Sequence, residues 1–285
     1  CFIGKTDTGT PYTIGGTHMK TIGFIGCGNM GKAMVEGIMK AQLVDGDHMI
    51  VSNQHPEKLE TLSRTYDLYI SDNETVACNA DILFLAVKPH MYGKIIEEIR
   101  EHVKPNAIMV NIAAGVTLAD LYAMFHRKVK AVKAMPNTPA FVGEAMSALA
   151  FGEMMSKDDK EDIIDIFESF GQCAEVQESM MEAVTVVSGS SPAYMFMILE
   201  AMADEAVLEG MPRKDAYKFA AQAMLGSAKM LLETGKHPGE LKDMVCSPGG
   251  TTIEAVMKME EKGLRSAIME GMRACADKSR KMTKK

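Results

Sequence analysis

The chain has 285 residues, a formal net charge of −7 and a pI near 5.6. At roughly 100 to 200 residues per domain that length predicts two domains with ample room for a core. The acidic balance, with no basic cluster in the body, argues against a general nucleic-acid binder, which needs a basic face to neutralise phosphates, and no run approaches the ~18 to 20 apolar residues that span a bilayer.

Residues 1–18 read as an appended leader, because Thr17-His18-Met19 resembles a cloning junction and Met19-Lys20-Thr21 leads straight into an apolar run. The N-terminus lacks the charged start and apolar block of a secretory signal. The 6 cysteines are scattered, with no CxxC pair and no His at zinc spacing. Free thiols in a reducing cytoplasm, and no metal, are the expectation.

From Met19 to about Glu178, short apolar runs alternate with amphipathic segments, the pattern of βαβ units. The predicted strands are 20–25, 49–53, 81–87, 107–112, 129–134, 146–151 and 173–177. Runs such as ILFLAV (82–87) and IMVNIA (108–113) show no alternation, as suits central strands covered on both faces. The predicted class is α/β: a doubly wound, mainly parallel sheet followed by an all-α domain.

Gly26-Cys27-Gly28-Asn29-Met30-Gly31 follows the first strand without a gap and opens a helix running to about Ala41. In that setting Gly26 permits the tight turn, Gly28 lets the backbone approach a pyrophosphate, and Gly31 lets helix pack on strand. The phosphate then meets unpaired amides at the positive end of the helix. The second strand ends in Val51-Ser52-Asn53-Gln54-His55, with no carboxylate to grip a free 2′-hydroxyl. Those neutral groups, with His55 and Lys58 nearby, favour NADP(H) and leave NAD(H) open. Ala86-Val87-Lys88-Pro89 and Ala113-Ala114-Gly115 stand at later strand C-termini, where open α/β sheets bind ligands. The stiff loop with Pro136 and Asn137 follows a further strand toward the same crevice.

After Glu178 alanine, methionine, leucine and glutamate dominate and strand-like runs disappear. Ser191-Pro192 reads as a helix start and Gly210 as its end; Pro212 opens a second helix and Gly235 closes it. The second helix, with Phe219, Leu225, Met230 and Leu231, is apolar around much of its girth, which predicts a homodimer through this half. The methionines at helical spacing read as adaptable core filler. Lys278, Arg280, Lys281, Lys284 and Lys285 read as a solvated helix end, favourable to the helix dipole.

No Ser/His/Asp set or paired-carboxylate motif stands out, and histidines 48, 90, 102, 126 and 237 lack motif context. An imine can be protonated before a hydride arrives, so a hydroxyl that orients its nitrogen is sufficient. Hydroxyls concentrate in Cys246-Ser247-Pro248-Gly249-Gly250-Thr251-Thr252, ahead of a helix predicted over 253–262. Its amides and helix start suit a carboxylate. A plain helix start capped by Thr251 or Thr252 would use the same residues.

GFIGCGNMG (23–31), AVKPHM (86–91), NIAAGV (111–116), AMPNTPA (134–140), SGSSPAY (188–194) and HPGELKDMVCSPGGTTIEAV (237–256) together resemble pyrroline-5-carboxylate reductase, from Met19 to the end. The resemblance implies reduction of 1-pyrroline-5-carboxylate to L-proline with NAD(P)H, the last step of proline synthesis. It implies a Rossmann domain over 19–178 and a helical substrate and dimerisation domain over 179–285. By position, Thr252 would hydrogen-bond the imine nitrogen, and Ser247, Gly249, Gly250 and Thr251 would receive the substrate carboxylate. Glu178 matches a substrate-side glutamate of some members, and Asn73 matches a position that touches the cofactor. The family's dimer interleaves its helical domains, so residues 246–252 would complete a site whose nicotinamide belongs to their own or the partner's first domain. Met244 departs from members with a polar residue there. Two other readings compete: a non-catalytic nucleotide or redox sensor, and a β-hydroxyacid dehydrogenase. The latter needs a catalytic lysine from the first long helix of the second domain, and residues 195–209 contain neither Lys nor Asn.

Overall fold

The computed structural model describes residues 4–5, 11–12 and 20–283; most of the expected leader lies outside them, and within it Gly4–Lys5 pairs antiparallel with Pro11–Tyr12. The principal sheet has eight strands: β1 Ile22–Ile25, β2 Met49–Ser52, β3 Tyr69–Ile70, β4 Ile82–Leu85, β5 Ile108–Asn111, β6 Lys130–Met135, β7 Ala145–Phe151 and β8 Gly171–Glu175. Their order across the sheet is β8-β7-β6-β5-β4-β1-β2-β3, so the first six follow the 3-2-1-4-5-6 order of dinucleotide-binding sheets. All neighbours run parallel except β6 and β7, where Val132 faces Phe151 and Met135 faces Ala148. The order reverses between β1 and β4, which places the switch point beside the glycine-rich turn.

The runs without alternation are buried on both faces. On one side Phe24, Phe84 and Val110 meet Met34 and Ile38 of α1 (Asn29–Lys40) and Phe167 of α6 (Lys157–Glu168). Phe24 and Phe84 stack with centroids 4.3 Å apart at 11°, and Phe167 lies 6.0 Å from Phe84. On the other side Ile25, Leu83, Leu85 and Met109 meet Ile95, Ile96 and Ile99 of α4 (Tyr92–Ile99) and Leu121 of α5 (Leu118–Phe125). Each such aliphatic or aromatic side chain contributes about 1.5–3 kcal/mol by leaving water, and two-sided burial explains why helical cover, rather than alternation, marks these strands.

Several elements differ from the sequence reading. β3 was not predicted, since a two-residue edge strand with Tyr69 56% exposed leaves no apolar run to detect. The last strand begins at Gly171, two positions before 173, because the amide of Ala145 donates to the Phe170 carbonyl and draws the chain into register there. In the helical region, α8 (Ser191–Leu208) is capped at Ser190, one residue before the expected start, while Gly235 closes α9 (Arg213–Thr234) in the left-handed region as expected.

By packing, the chain forms two compact units: one running to Gly189 and including the segment from Ala276, the other Ser190–Cys275. In the second, α8 and α9 bury only Ala203, Ala216 and Ala220 among their residues. Phe196, Met197 and Leu208 of α8 and Phe219, Leu225 and Leu232 of α9 stay exposed, a display of apolar surface that marks an association face. Among the described residues no helix is long and apolar enough to cross a membrane. Cys27, Cys78, Cys173, Cys246 and Cys275 are free thiols; burial pushes Cys27 up to about 12 and, with two carboxylates, Cys173 up to about 11. Arg280 pairs with Asp277 and Glu182, while Lys284 and Lys285 lie outside the described residues.

Asp159 ties α6 to the sheet. It forms a reciprocal cap with Ser156 and meets the Lys130 Nζ at 2.7 Å while only 7% exposed. Burial raises its carboxyl pKa, but the bonds from Lys130 and Ser156 outweigh this and hold it below the usual range. Its contribution is therefore present above the unfolded carboxylate pKa and fades as pH falls through the lower folded one. Asp159→Ala should cost about 2–3 kcal/mol near neutrality, from a lost cap and an uncompensated ammonium. Urea unfolding should show that deficit narrowing below about pH 4; a deficit constant with pH would remove the ion pair from the account.

Candidate active site

The turn after β1 is built by backbone bonds. The amides of Gly26 and Cys27 both donate to the Ser52 carbonyl at the end of β2, at 3.1 and 2.9 Å, and the Gly28 amide donates to the Gly26 carbonyl at 2.6 Å. Gly26 adopts φ +81°, closed to most side chains. Gly28 is the N-cap of α1, with no side-chain capping bond and no acid in the first turn. A Cβ on Gly28 would meet nothing nearer than the Gly26 oxygen at 3.8 Å, so the backbone here is open to a close ligand. The amides at the first turn of α1, from Asn29 through Gly31, have no acceptor within the helix, and the positive end of the dipole lies there. These residues fit a dinucleotide pyrophosphate.

A cavity of about 660 Å³ adjoins this turn. It gathers Gly26, Gly28, Ser52, Asn53, Asn73, Ala86, Val87 and Lys88 of the predicted set, together with Gln54, His90, Lys94 and Glu98. Sequence reasoning missed the last three; the available signal was the helix after Pro89, whose Lys94 and Glu98 stand four apart on one face. Ser52 donates to Asn73 Oδ1 at 2.7 Å, and Asn73 Nδ2 donates to Glu98 Oε1 at 3.0 Å, so Asn73 bridges β2 and α4 at the cavity wall.

Several predicted cofactor residues act on the chain itself. Cys27 points its thiol into the core, and Met30 packs against that core too. Asn53 spends Nδ2 on the Cys27 carbonyl at 2.7 Å and Oδ1 on the His55 amide at 2.9 Å, which shapes the turn after β2. Asn137, 7% exposed, donates to the Ser188 carbonyl and accepts from the Met146 amide, so both ends of its amide are occupied and it braces the Pro136 loop. Gly31, Pro89, Pro136 and residues 113–115 do not line the cavity. Glu178 accepts the Leu118 amide at 2.7 Å through Oε1 and lines a separate cavity of about 450 Å³ with Gln177 and Leu118.

In the helical unit, α10 (Pro238–Val245) is capped by His237, whose Nδ1 accepts the Gly239 amide at 3.1 Å. A turn follows in which the Gly250 amide donates to the Ser247 carbonyl at 3.0 Å, with Gly249 at φ +67°. The next helix, α11 (Thr251–Glu261), starts earlier than predicted, and its N-cap is Gly250 with no side-chain bond. Neither Thr251 nor Thr252 caps it. Both hydroxyls are therefore left at the first turn of a helix whose leading amides are unpaired, an arrangement suited to a carboxylate with a polar atom beside it. Ser247 Oγ lies over Gly250, where a Cβ would come within 2.3 Å. Met244 is 61% exposed. Among the described residues no group of His, Cys, Asp and Glu is placed to hold a metal.

Residues 178–282 match the family described as pyrroline-5-carboxylate reductase dimerisation, and residues 21–115 match one described as NADP oxidoreductase coenzyme F420-dependent. The chain is 49% identical to a pyrroline-5-carboxylate reductase of Escherichia coli over 93% of this chain and 99% of that protein. A solved pyrroline-5-carboxylate reductase of Coxiella burnetii superposes with a TM-score of 0.86 at 31% identity, covering 94% of this chain and all (100%) of that one. The Plasmodium falciparum pyrroline carboxylate reductase, solved with NADP bound, gives 0.85 at 29% identity over 94% of this chain and 100% of its own. The chain, a mainly parallel nucleotide-binding sheet followed by a helical dimerisation region, belongs to the pyrroline-5-carboxylate reductase family of oxidoreductases.

Proposed function

We propose that the chain reduces 1-pyrroline-5-carboxylate to L-proline. The observation that carries this is the turn at residues 247–250, which delivers a helix start with no side-chain cap and two free threonine hydroxyls in one place. Residues 19–178 hold NAD(P)H, with the phosphates at Gly26, Gly28 and the first turn of α1, and Ser52, Asn73, Val87 and Lys88 at the cavity wall. When bound, the reduced nicotinamide supplies the hydride. Residues 179–285 hold the substrate and pair two subunits. The amides and hydroxyls of Ser247, Gly249, Gly250 and Thr251 bind the substrate carboxylate, and the Thr252 hydroxyl orients the ring nitrogen of the imine, which takes its proton before the carbon is reduced. Glu178 keeps one carboxylate oxygen beyond its bond to Leu118 for a polar group of the substrate. The exposed apolar faces of α8 and α9 support a homodimer, or an oligomer of dimers, and the free thiols support a cytoplasmic setting.

The test is NADPH oxidation by the purified full-length chain with pyrroline-5-carboxylate as acceptor, with proline quantified. Turnover with stoichiometric proline is the expected result, with a lower KM for NADPH than for NADH. NADPH binding without proline would instead establish the sensor reading.

A further inference from the structure

Lys133, on β6, is 4% exposed. An ammonium inside a sheet is costly, and the usual remedy is a carboxylate. Here the Nζ donates instead to two main-chain carbonyls of one turn, those of Ala113, at 2.6 Å, and Val116. Asn111, wholly buried and directly opposite Lys133 in the β5–β6 register, adds two more bonds to the same turn. Its Nδ2 donates to the Val116 carbonyl at 2.9 Å and its Oδ1 accepts the Ala113 amide at 3.0 Å. Four hydrogen bonds from two side chains thus converge on residues 113–116, with Gly115 between them at φ +78°. One residue beyond Thr117, Glu178 holds the Leu118 amide, so the segment is pinned at both ends.

A well-packed apolar side chain at 133 would generally serve stability as well as a buried charge does. The arrangement answers a different need, the shape of the turn at the C-terminal end of β5. At that end an open α/β sheet receives its ligand. The turn follows β5, the strand next to β4, and lies outside the lining of the cavity that residues 86–88 after β4 reach, so its effect on a ligand there is one of shape rather than contact. We propose that Lys133, with Asn111, is a positioning residue that sets residues 113–116 in the conformation the cofactor requires. This rests on the reading of residues 19–178 as the NAD(P)H-binding half. Burial pulls the Lys133 ammonium down to about 8, against the opposing pull of Glu178 and Asp120, in keeping with a charge held by dipoles rather than by a contacting carboxylate.

The test compares Lys133→Met and Lys133→Arg with the parent chain, by NADPH titration and by steady-state turnover with pyrroline-5-carboxylate. Removing both carbonyl bonds should raise the NADPH KM and dissociation constant by about tenfold or more, with the substrate KM changed by less than about threefold. Lys133→Arg should recover most of the loss, which a mere packing role would not predict. Should Lys133→Met fail to fold, Lys133→Gln, which offers a neutral amide donor in place of the ammonium, replaces it with the same expectation in weaker form. A folded Met or Gln variant with parental NADPH affinity and KM overturns the proposal, as does an Arg variant no better than Met. A parent chain that binds NADPH but makes no proline overturns the functional reading alone, because the titration still reports on Lys133.

Discussion

Gly26→Ala should raise the NADPH KM by roughly 10²-fold and lower the melting temperature. The residue sits at φ +81°, where an L side chain costs about 1–2 kcal/mol. An added Cβ would also stand 2.2 Å from Val87 Cγ1 and only 3.0 Å from the Val87 amide nitrogen, so rotating the valine alone does not clear it. Overpacking of this kind adds about 1–3 kcal/mol. The chain relieves both by moving the turn, and in the proposed reading that turn aligns the leading amides of α1 with a phosphate. If 2–3 kcal/mol of that strain is relieved at the expense of phosphate contacts, at about 1.4 kcal/mol per tenfold the affinity falls roughly 10²-fold. Thermal unfolding of the ligand-free variant separates the part lost in stability from the part lost in binding. An unchanged NADPH KM would show that the cofactor does not depend on this turn.

Thr252→Ala should lower kcat by roughly 10- to 150-fold while the NADPH KM stays within about threefold, the effect of losing one oriented hydrogen bond to a charged group, about 1.5–3 kcal/mol. The structure makes this substitution informative. Gly250 caps α11 and Thr252 is already inside the helix, so alanine removes no cap and has the better helix propensity. A loss of turnover is therefore chemical rather than conformational, and Thr252→Ser should restore part of it. A variant with parental kcat would take Thr252 out of the reaction and return residues 246–252 to a plain helix start.

The two assignments differ in how they were legible. Gly26, Gly28 and the strand before them form a local signal: a short apolar run, a fixed glycine spacing and a helix, all within twenty residues, and β1 and α1 lie where that spacing predicts. The stretch at 246–252 is local too, but its meaning turned on which residue caps α11, and one position separates a capping threonine from a free one. Lys133 shows the opposite case. The sequence reading passed over the lysine inside KAVKAM, and nothing local tells that it is buried or that its partners are carbonyls about twenty residues upstream. The sequence assigns Asn53 and Asn137 to the cofactor, and only the distances to Cys27, His55, Met146 and Ser188 show that their amides bond the chain itself.

The sequence by itself determined most of the succession of strands and helices, the glycine-rich turn between β1 and α1, the helical second half and the family. These follow from periodicity and spacing within a window of one or two elements, where backbone sterics and burial act directly. Tertiary structure alone decided that β7 runs against β6, that the two-residue β3 completes the sheet edge, and that Lys133 and Asn111 converge on one turn while Glu178 holds the helix start after it. Strand direction and side-chain partnership depend on which distant segments pack together. That choice is settled by hydrogen bonds and contacts summed over the whole sheet, and it leaves no mark on the pattern of any one segment.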